Sequence, residues 1–561
     1  MIESLHHRPW HYLLLLALAG ALFFLNLGGA TLWDIDEGRN ADCALEMMRA
    51  DNWIIPTFNG QLRAHKPALL YWLQIFSYML FGVNEFAARF PSALAALVTV
   101  LAVYELARSM FGRTTGLFAG VIVAATPMLC GAARFANPDS LLNCCTVLTL
   151  ATFWIGLAER RWWWFVLLGA FSGLAVLAKG PVGLVLPTAV NFLFLLWERR
   201  LAIMWDRRWL LASTAFTFTA LPWYIWVGLE THGEFLYGFL WQHNVQRGMS
   251  AMEAHDGFPG FYLVVLLVGT APWSIFLLAS LWFACWSAIR SPWRKFENVW
   301  ASARDDDGDR PAAYRMLLCW IGVYVLFFSL AATKLPNYVL PTVAPCAILL
   351  ARLLERWRTG SIRLPAWLQV SAVTCLGLIG VGLGLGLVLA SLGQDSLFPG
   401  GGYADLKMWA LVGIAPLVAA LVGAWFIRQG QVGRFIFALS LSAVLMLAPL
   451  AAYASGLFNR YKAPRLLVEQ AELVQPGRDI RIGCFQIDHL PSLNFYAQRN
   501  IEQLENGEDA ARFLQYSVPV YLILPAETWE RFATTHGGSA RIVARQFDLY
   551  HNQEVVVVTN R

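Results

Sequence analysis

Asp34-Ile35-Asp36-Glu37-Gly38-Arg39 follows directly on the first long apolar run, Leu13 to Leu27, and is answered by His65-Lys66-Pro67. Ionisable residues packed where a hydrophobic segment leaves a bilayer feel both desolvation and one another's field. A solvated loop explains a lone aspartate in such a place. Three carboxylates with an arginine, met by a second basic motif on the same side, point instead to a site.

The same stretch sets the fold class, because it ends the first of many apolar runs. Of 561 residues 58% are hydrophobic and only 14% charged, whereas a soluble chain carries about a quarter charged residues. The spectrum is that of a polytopic membrane protein, mostly α-helical. A span takes about 20 apolar residues, and on that measure about 13 runs qualify: near 11–30, 90–107, 114–131, 139–157, 162–178, 181–197, 210–228, 261–289, 315–331, 338–353, 367–392, 408–427 and 435–456. The first reads as an uncleaved span, since no small-x-small cleavage site precedes the acidic cluster cleanly. Gly377, Gly380, Gly382, Gly384 and Gly386 predict close helix packing in the eleventh run.

Lys and Arg sort unevenly between alternate sides. The side of Arg8, Arg160, Arg161, Arg199, Arg200, Arg207, Arg208, Arg352, Arg356 and Arg358 collects about twice as many as the other. The positive-inside rule therefore predicts a cytoplasmic N-terminus, with the acidic cluster and the C-terminus outside. The net charge of +5 reports this orientation and not nucleic-acid binding. Most of the nine cysteines lie in apolar runs and read as small buried hydrophobes, and nothing brings the outside pair Cys43 and Cys484 together as a disulfide.

The first outside segment, 31–89, carries an amphipathic stretch from Asp42 to Ala50 and an aromatic one from Pro67 to Leu80. Such helices lie in the interface plane and would roof a site. The other outside cations Arg134, Lys179, Arg247 and Lys334 come one per loop, beside turn signals such as Asn137-Pro138-Asp139 and Lys179-Gly180-Pro181. Cations on the side that disfavours them suggest convergence on an anion; interfacial snorkelling is the plainer alternative. Residues 1–456 thus read as a transmembrane domain and 457–561 as a small outside α/β domain. Its strand-like runs are Ile480–Gln486, Val520–Leu524, Arg541–Phe547 and Glu554–Thr559, and its helix-like runs Leu466–Val474, Asp509–Tyr516 and Thr528–Thr535. It has no glycine-rich phosphate loop.

The motifs Trp33–Ala41, Asp51–Gly60, His65-Lys66-Pro67, Tyr71-Trp72, Arg89–Ser92, Arg134–Asp139, Lys179-Gly180-Pro181 and Lys334–Pro341 resemble those of the GT-C class of lipid-linked-sugar glycosyltransferases. Within it the likeness is to the bacterial 4-amino-4-deoxy-L-arabinose transferases (the ArnT family), relatives of the protein O-mannosyltransferases. It extends along roughly two thirds of the chain, in order and spacing. The chain departs in having His65 where the family often has Glu, and Gly38 where it commonly has Thr or Pro.

The resemblance implies an inverting transfer of a sugar, 4-amino-4-deoxy-L-arabinose, from undecaprenyl phosphate to a lipid A phosphate. The setting it implies is the periplasmic face of a bacterial inner membrane, with a monomeric enzyme among membrane lipids. Transfer to a protein or another cell-surface glycan is the alternative acceptor chemistry. A transporter or flippase fits less well, because no internal repeat is visible and the distinctive charges stand at helix ends. A departing phosphate needs fixed cations, for which Lys66, Arg39, Lys179, Arg247 and Lys334 are candidates, with Tyr338 as a donor. Asp36 is the first candidate for reacting carboxylate, beside Glu37. Asp139 is the second, with a role as a charge on a helix dipole as its alternative. His65 and His243 are candidate ligands for a divalent ion, Zn or Mg, although exposed His and Glu are ordinary in the 229–260 loop and no tight His spacing marks them.

Overall fold

Proline and glycine decide where the apolar runs bend. The computed structural model describes residues 9–246, 258, 260–290, 310–392, 404–475, 477–487, 490–536 and 540–561. Among these, nine helices are long and apolar enough to cross a membrane, or ten when the bent pair Arg113–Ala124 and Pro127–Ala133 is one span. Pro9–Phe23, Val182–Trp197 and Trp273–Ile289 are shorter apolar helices, so length alone does not establish 13 crossings. The 114–131 run, counted above as one span, is bent by 63°. Thr126 takes an extended conformation immediately before Pro127, as the steric clash with a following proline ring favours, and Pro127 then opens the second helix. The 261–289 run breaks likewise at Thr270–Pro272, between Phe261–Gly269 and the helical turn at Trp273.

The described spans share one large core, to which the almost wholly buried helix Val343–Arg358 contributes heavily. Only part of the glycine-rich run is packed as expected. A Cβ on Gly380 would lie 2.6 Å from the Gly413 carbonyl oxygen, whereas Gly382 and Gly386 have nothing within 4 Å.

The first loop folds into two helices. Asp36–Arg49 begins six residues earlier than the amphipathic stretch suggested; Asp36 and Glu37 stand in its first turn and Arg49 in its last, each at the favourable end of the helix dipole. It packs through Ala41, Ala44 and Leu45 on Tyr71, Ile75 and Tyr78 of the second helix, Leu69–Phe81. That helix turns Phe76, Met79 and Leu80 outward, as an interfacial helix does.

The C-terminal α/β region holds a five-stranded sheet in the order Glu502–Leu504, Arg481–Phe485, Val520–Pro525, Gln553–Thr559, Arg541–Asp548. The first three strands are parallel and the last two antiparallel. Val555 and Val557 face one core with Ile482 and Cys484, while Val556 and Val558 face the other with Phe513 and Leu522. Both sheet faces are therefore covered, which is why the strand reads as a continuous valine run. Cys43 and Cys484 are buried free thiols.

Candidate active site

The N-terminus of Asp36–Arg49, the start of Asp139–Glu159 and the turn at Pro336–Thr342 meet around a cavity of about 700 Å³ lined by Asp36, Asn137, Asp139 and Asn337 among apolar side chains. Asp36 and Asp139, a hundred residues apart in sequence, thus face one volume. Lys179, the last residue of Trp162–Lys179, pairs with Asp139 Oδ1, and Asn337 Nδ2 donates to Oδ2 at 2.7 Å. The Lys179 Nζ also lies 5.3 Å from the centre of the Tyr338 ring, which packs on Phe328. Three of the sequence motifs therefore converge on one carboxylate.

A second group of cations stands on the first loop. Lys66 is near enough to act on the charge of Asp139, and Asp36 on that of buried Arg63. Arg63 itself is spent on the fold, donating to Tyr71 Oη at 3.2 Å and to Asn40 Oδ1 at 3.1 Å. The His65 and His243 rings lie 3.9 Å apart, centre to centre. Desolvation first, then the charges of Arg63, His243, Arg39 and Lys66, hold the His65 imidazole down at about 3. A neutral His65 keeps a nitrogen lone pair that a metal could use, yet no group of three His, Cys, Asp or Glu side chains poised for a metal occurs among the described residues. Lys334 precedes the Pro336–Thr342 turn, half-buried. Arg247 lies outside the described residues.

Glu37, expected as a catalytic carboxylate, is placed differently. It is fully buried and each oxygen accepts twice: Oε1 from Arg89 Nε at 2.8 Å and the Ala136 N–H at 2.7 Å, Oε2 from Arg89 Nη2 at 2.7 Å and the Trp33 N–H at 2.9 Å. Arg89 spends its remaining donors on the Leu27, Ala30 and Thr31 carbonyls. A buried pair satisfied so completely ties the first loop to two helices. Asn137 and Asn337 join the site without having been expected there, although both belong to motifs named above; a polar side chain beside a proline at the mouth of a span is the signal that marks them.

A family model described as dolichyl-phosphate-mannose-protein mannosyltransferase matches residues 65–226. An undecaprenyl phosphate-alpha-4-amino-4-deoxy-L-arabinose arabinosyl transferase of Erwinia tasmaniensis is 31% identical over 426 residues, 73% of this chain and 72% of that protein. The chain belongs to this arabinosyl transferase family. A relative of the same description from Aeromonas salmonicida is 28% identical over 73% of this chain and 76% of its own length. The crystal structure of ArnT from Cupriavidus metallidurans bound to undecaprenyl phosphate superposes with a TM-score of 0.77 at 22% identity, covering 99% of each chain. The transferase is accordingly a multi-pass membrane glycosyltransferase of the GT-C type, dependent on a polyprenyl-phosphate sugar.

Proposed function

We propose that the transferase moves 4-amino-4-deoxy-L-arabinose from undecaprenyl phosphate to a phosphate of lipid A, on the periplasmic side of a bacterial inner membrane, with residues 1–456 holding the site and 457–561 docked on the first loop. The observation that carries this reading is the shared cavity. Asp36 and Asp139 face an apolar-walled volume with Lys179 and Asn337 fixed on Asp139 and the charge of Lys66 within reach. An apolar wall suits a prenyl or acyl chain, and the polar end suits two phosphates and a sugar.

Displacement at the anomeric carbon breaks the bond to the donor phosphate, which leaves with an added negative charge. Lys66, Arg39, Lys334 and Arg247 are the groups assigned to that charge. Lys179 is already paired, so its assignment is to hold Asp139 ionised and in place. Asp36 lies on the acceptor side: it takes the proton of a hydroxyl acceptor, or orients a phosphate acceptor that is already ionised and needs no base. A single displacement inverts the anomeric centre.

His65 and His243 offer two imidazole nitrogens, donors that suit Zn better than Mg. When held there, an ion would supply positive charge to the donor phosphate. Comparing lipid A mass spectra from cells with and without the gene tests the acceptor. Addition of aminoarabinose that depends on the gene supports the reading. Unchanged lipid A together with gene-dependent glycosylation of protein would transfer it to the protein-directed alternative.

A further inference from the structure

Two residues before and two after Asp36, Asp34 and Gly38 lie against the C-terminal α/β region. Asp34 is 7% exposed, and its Oδ1 accepts the Ser492 N–H at 2.7 Å; its own N–H donates to Tyr550 Oη at 2.9 Å. Ile35 then turns with φ 76° and ψ −73°, a conformation costly for a β-branched side chain and retained only where the surroundings impose it. Ile35 is 50% exposed, so its own packing does not impose it. Gly38, one turn into the helix, lies against the same segment: a Cβ there would stand 2.6 Å from the Ser492 nitrogen and 2.9 Å from its Cα. The close approach explains why this chain has glycine where the family commonly carries a larger residue. Around Asp34 stand Lys462, which donates to the Thr31 carbonyl at 2.9 Å and covers the Trp33 ring, and Asp548, which shares a hydrogen bond with His551 across 2.7 Å.

We propose that the C-terminal α/β region is a working part of the transferase: Ser492 and Tyr550 grip Asp34, and Asp34 holds the strained Ile35 turn that aims Asp36 into the cavity. Asp34 is then a positioning residue, and Gly38 the gap that lets the grip close. The proposal rests on the reading of Asp36 as the reacting carboxylate. It gives a soluble region far along the chain a direct hand in the geometry of the first loop. Freed from the grip, Ile35 relaxes to an ordinary backbone conformation and the first helical turn re-aims; a misplacement of about 1 Å costs up to a hundredfold in rate.

The test uses the full chain in proteoliposomes, with undecaprenyl-phosphate 4-amino-4-deoxy-L-arabinose as donor and lipid A as acceptor, and reads kcat, KM and Tm. Asp34→Ala and Gly38→Ala are expected to lower kcat about tenfold or more with the donor KM little changed, while Asp34→Asn, which keeps the acceptor for Ser492, restores most of it. Ile35→Gly separates positioning from folding. Glycine takes a φ near 76° without strain, so Ile35→Gly is expected to leave Tm equal or higher with kcat kept and, added to Asp34→Ala, to restore much of the lost kcat, a rescue that a merely structural role for Asp34 does not give. Normal kcat in Asp34→Ala and Gly38→Ala, or no recovery when Ile35→Gly is added to Asp34→Ala, with Asp36→Ala inactive, would overturn the grip and leave the reading of Asp36 standing. Normal kcat in Asp36→Ala would overturn both.

Discussion

Asp36 and Glu37 adjoin in sequence and face different ways, one into the cavity and one into Arg89. The cause is helix rotation: successive residues point about 100° apart, so the start at Asp36 decides which carboxylate reaches the cavity. The charge cluster itself was legible, because ionisable groups at the end of an apolar run stand out against it. The division of labour was not, since the sequence pattern began the helix at Asp42, and the partners of Glu37 sit at Arg89 and Ala136. Glu37→Gln is expected to destabilise the protein by about 3–5 kcal/mol, the usual cost of leaving one buried partner uncompensated, seen as a lower Tm in detergent. Asp36→Asn should do the reverse, keeping Tm and sharply lowering turnover. A stable Glu37→Gln protein would show that the Arg89 network is dispensable. The imidazole pair gives a second contrast. Under the proposal of a metal at this pair, zinc that copurifies with the unsubstituted protein should be lost when His65→Ala is combined with His243→Ala, measured by elemental analysis; a zinc-free unsubstituted protein, or an unchanged zinc content, would remove the pair as a metal site.

Helix breaks, more than helix faces, shape the cavity. Pro127–Ala133 leaves the line of Arg113–Ala124 at 63°, and its Pro127 and Gly131 line both the large cavity and a neighbouring one of about 310 Å³ that also touches Trp33, Arg134 and Leu447. Arg134 anchors this element by donating to the Phe23 and Asn26 carbonyls at 3.1 Å each. Hydropathy reads residues 114–131 as one run because it does not register that Thr126 must leave the helical region before Pro127. The same limit hid the strand Glu502–Leu504 and the helix Ser492–Ala497, three and six residues long, which no periodicity can mark. A Cβ on Gly131 would meet nothing within 4 Å, so a bulky side chain there fills open space instead of the core. Gly131→Phe is expected to leave Tm within a few degrees and to raise KM for a lipid substrate about tenfold, measured in the same vesicle assay. An unchanged KM for both lipids would remove the bent helix from the substrate path.

At the scale of the whole molecule, contacts four hundred residues apart in sequence join the first loop to the C-terminal α/β region. Asn59 donates to the Ile501 carbonyl at 2.8 Å and accepts its N–H at 2.8 Å, Arg465 pairs with Glu85 at 2.8 Å, and Tyr496 Oη accepts from the Leu32 N–H at 2.8 Å. The sequence marked the composition change near residue 457 but held no sign of this docking, because its partners are single polar side chains with no repeat or spacing. The joint is titratable. Burial pushes the Asp34 carboxyl up to about 7 and the Lys462 ammonium down to about 7. For Asp34 the folded state holds its proton more tightly than the unfolded one, so its contribution is fully present below about pH 4 and is lost as pH rises through about 7. Lys462 has the opposite sign: its contribution is present above its unfolded value near 10.5 and is lost as pH falls through about 7. The two penalties overlap near neutrality, where the joint is weakest. Asp34→Asn keeps the acceptor for Ser492 but cannot ionise, and each tenfold weakening of an acid on folding costs the ionised protein about 1.4 kcal/mol. The difference in Tm between Asp34→Asn and the unsubstituted protein should therefore be near zero at about pH 4, grow in favour of the variant up to about pH 7 and stay level to about pH 9. A difference that shrinks over that range would mean that Asp34 is ionised and stabilising in the docked state, and that the grip on the first loop is a salt bridge to Lys462 instead of a neutral hydrogen bond to Ser492.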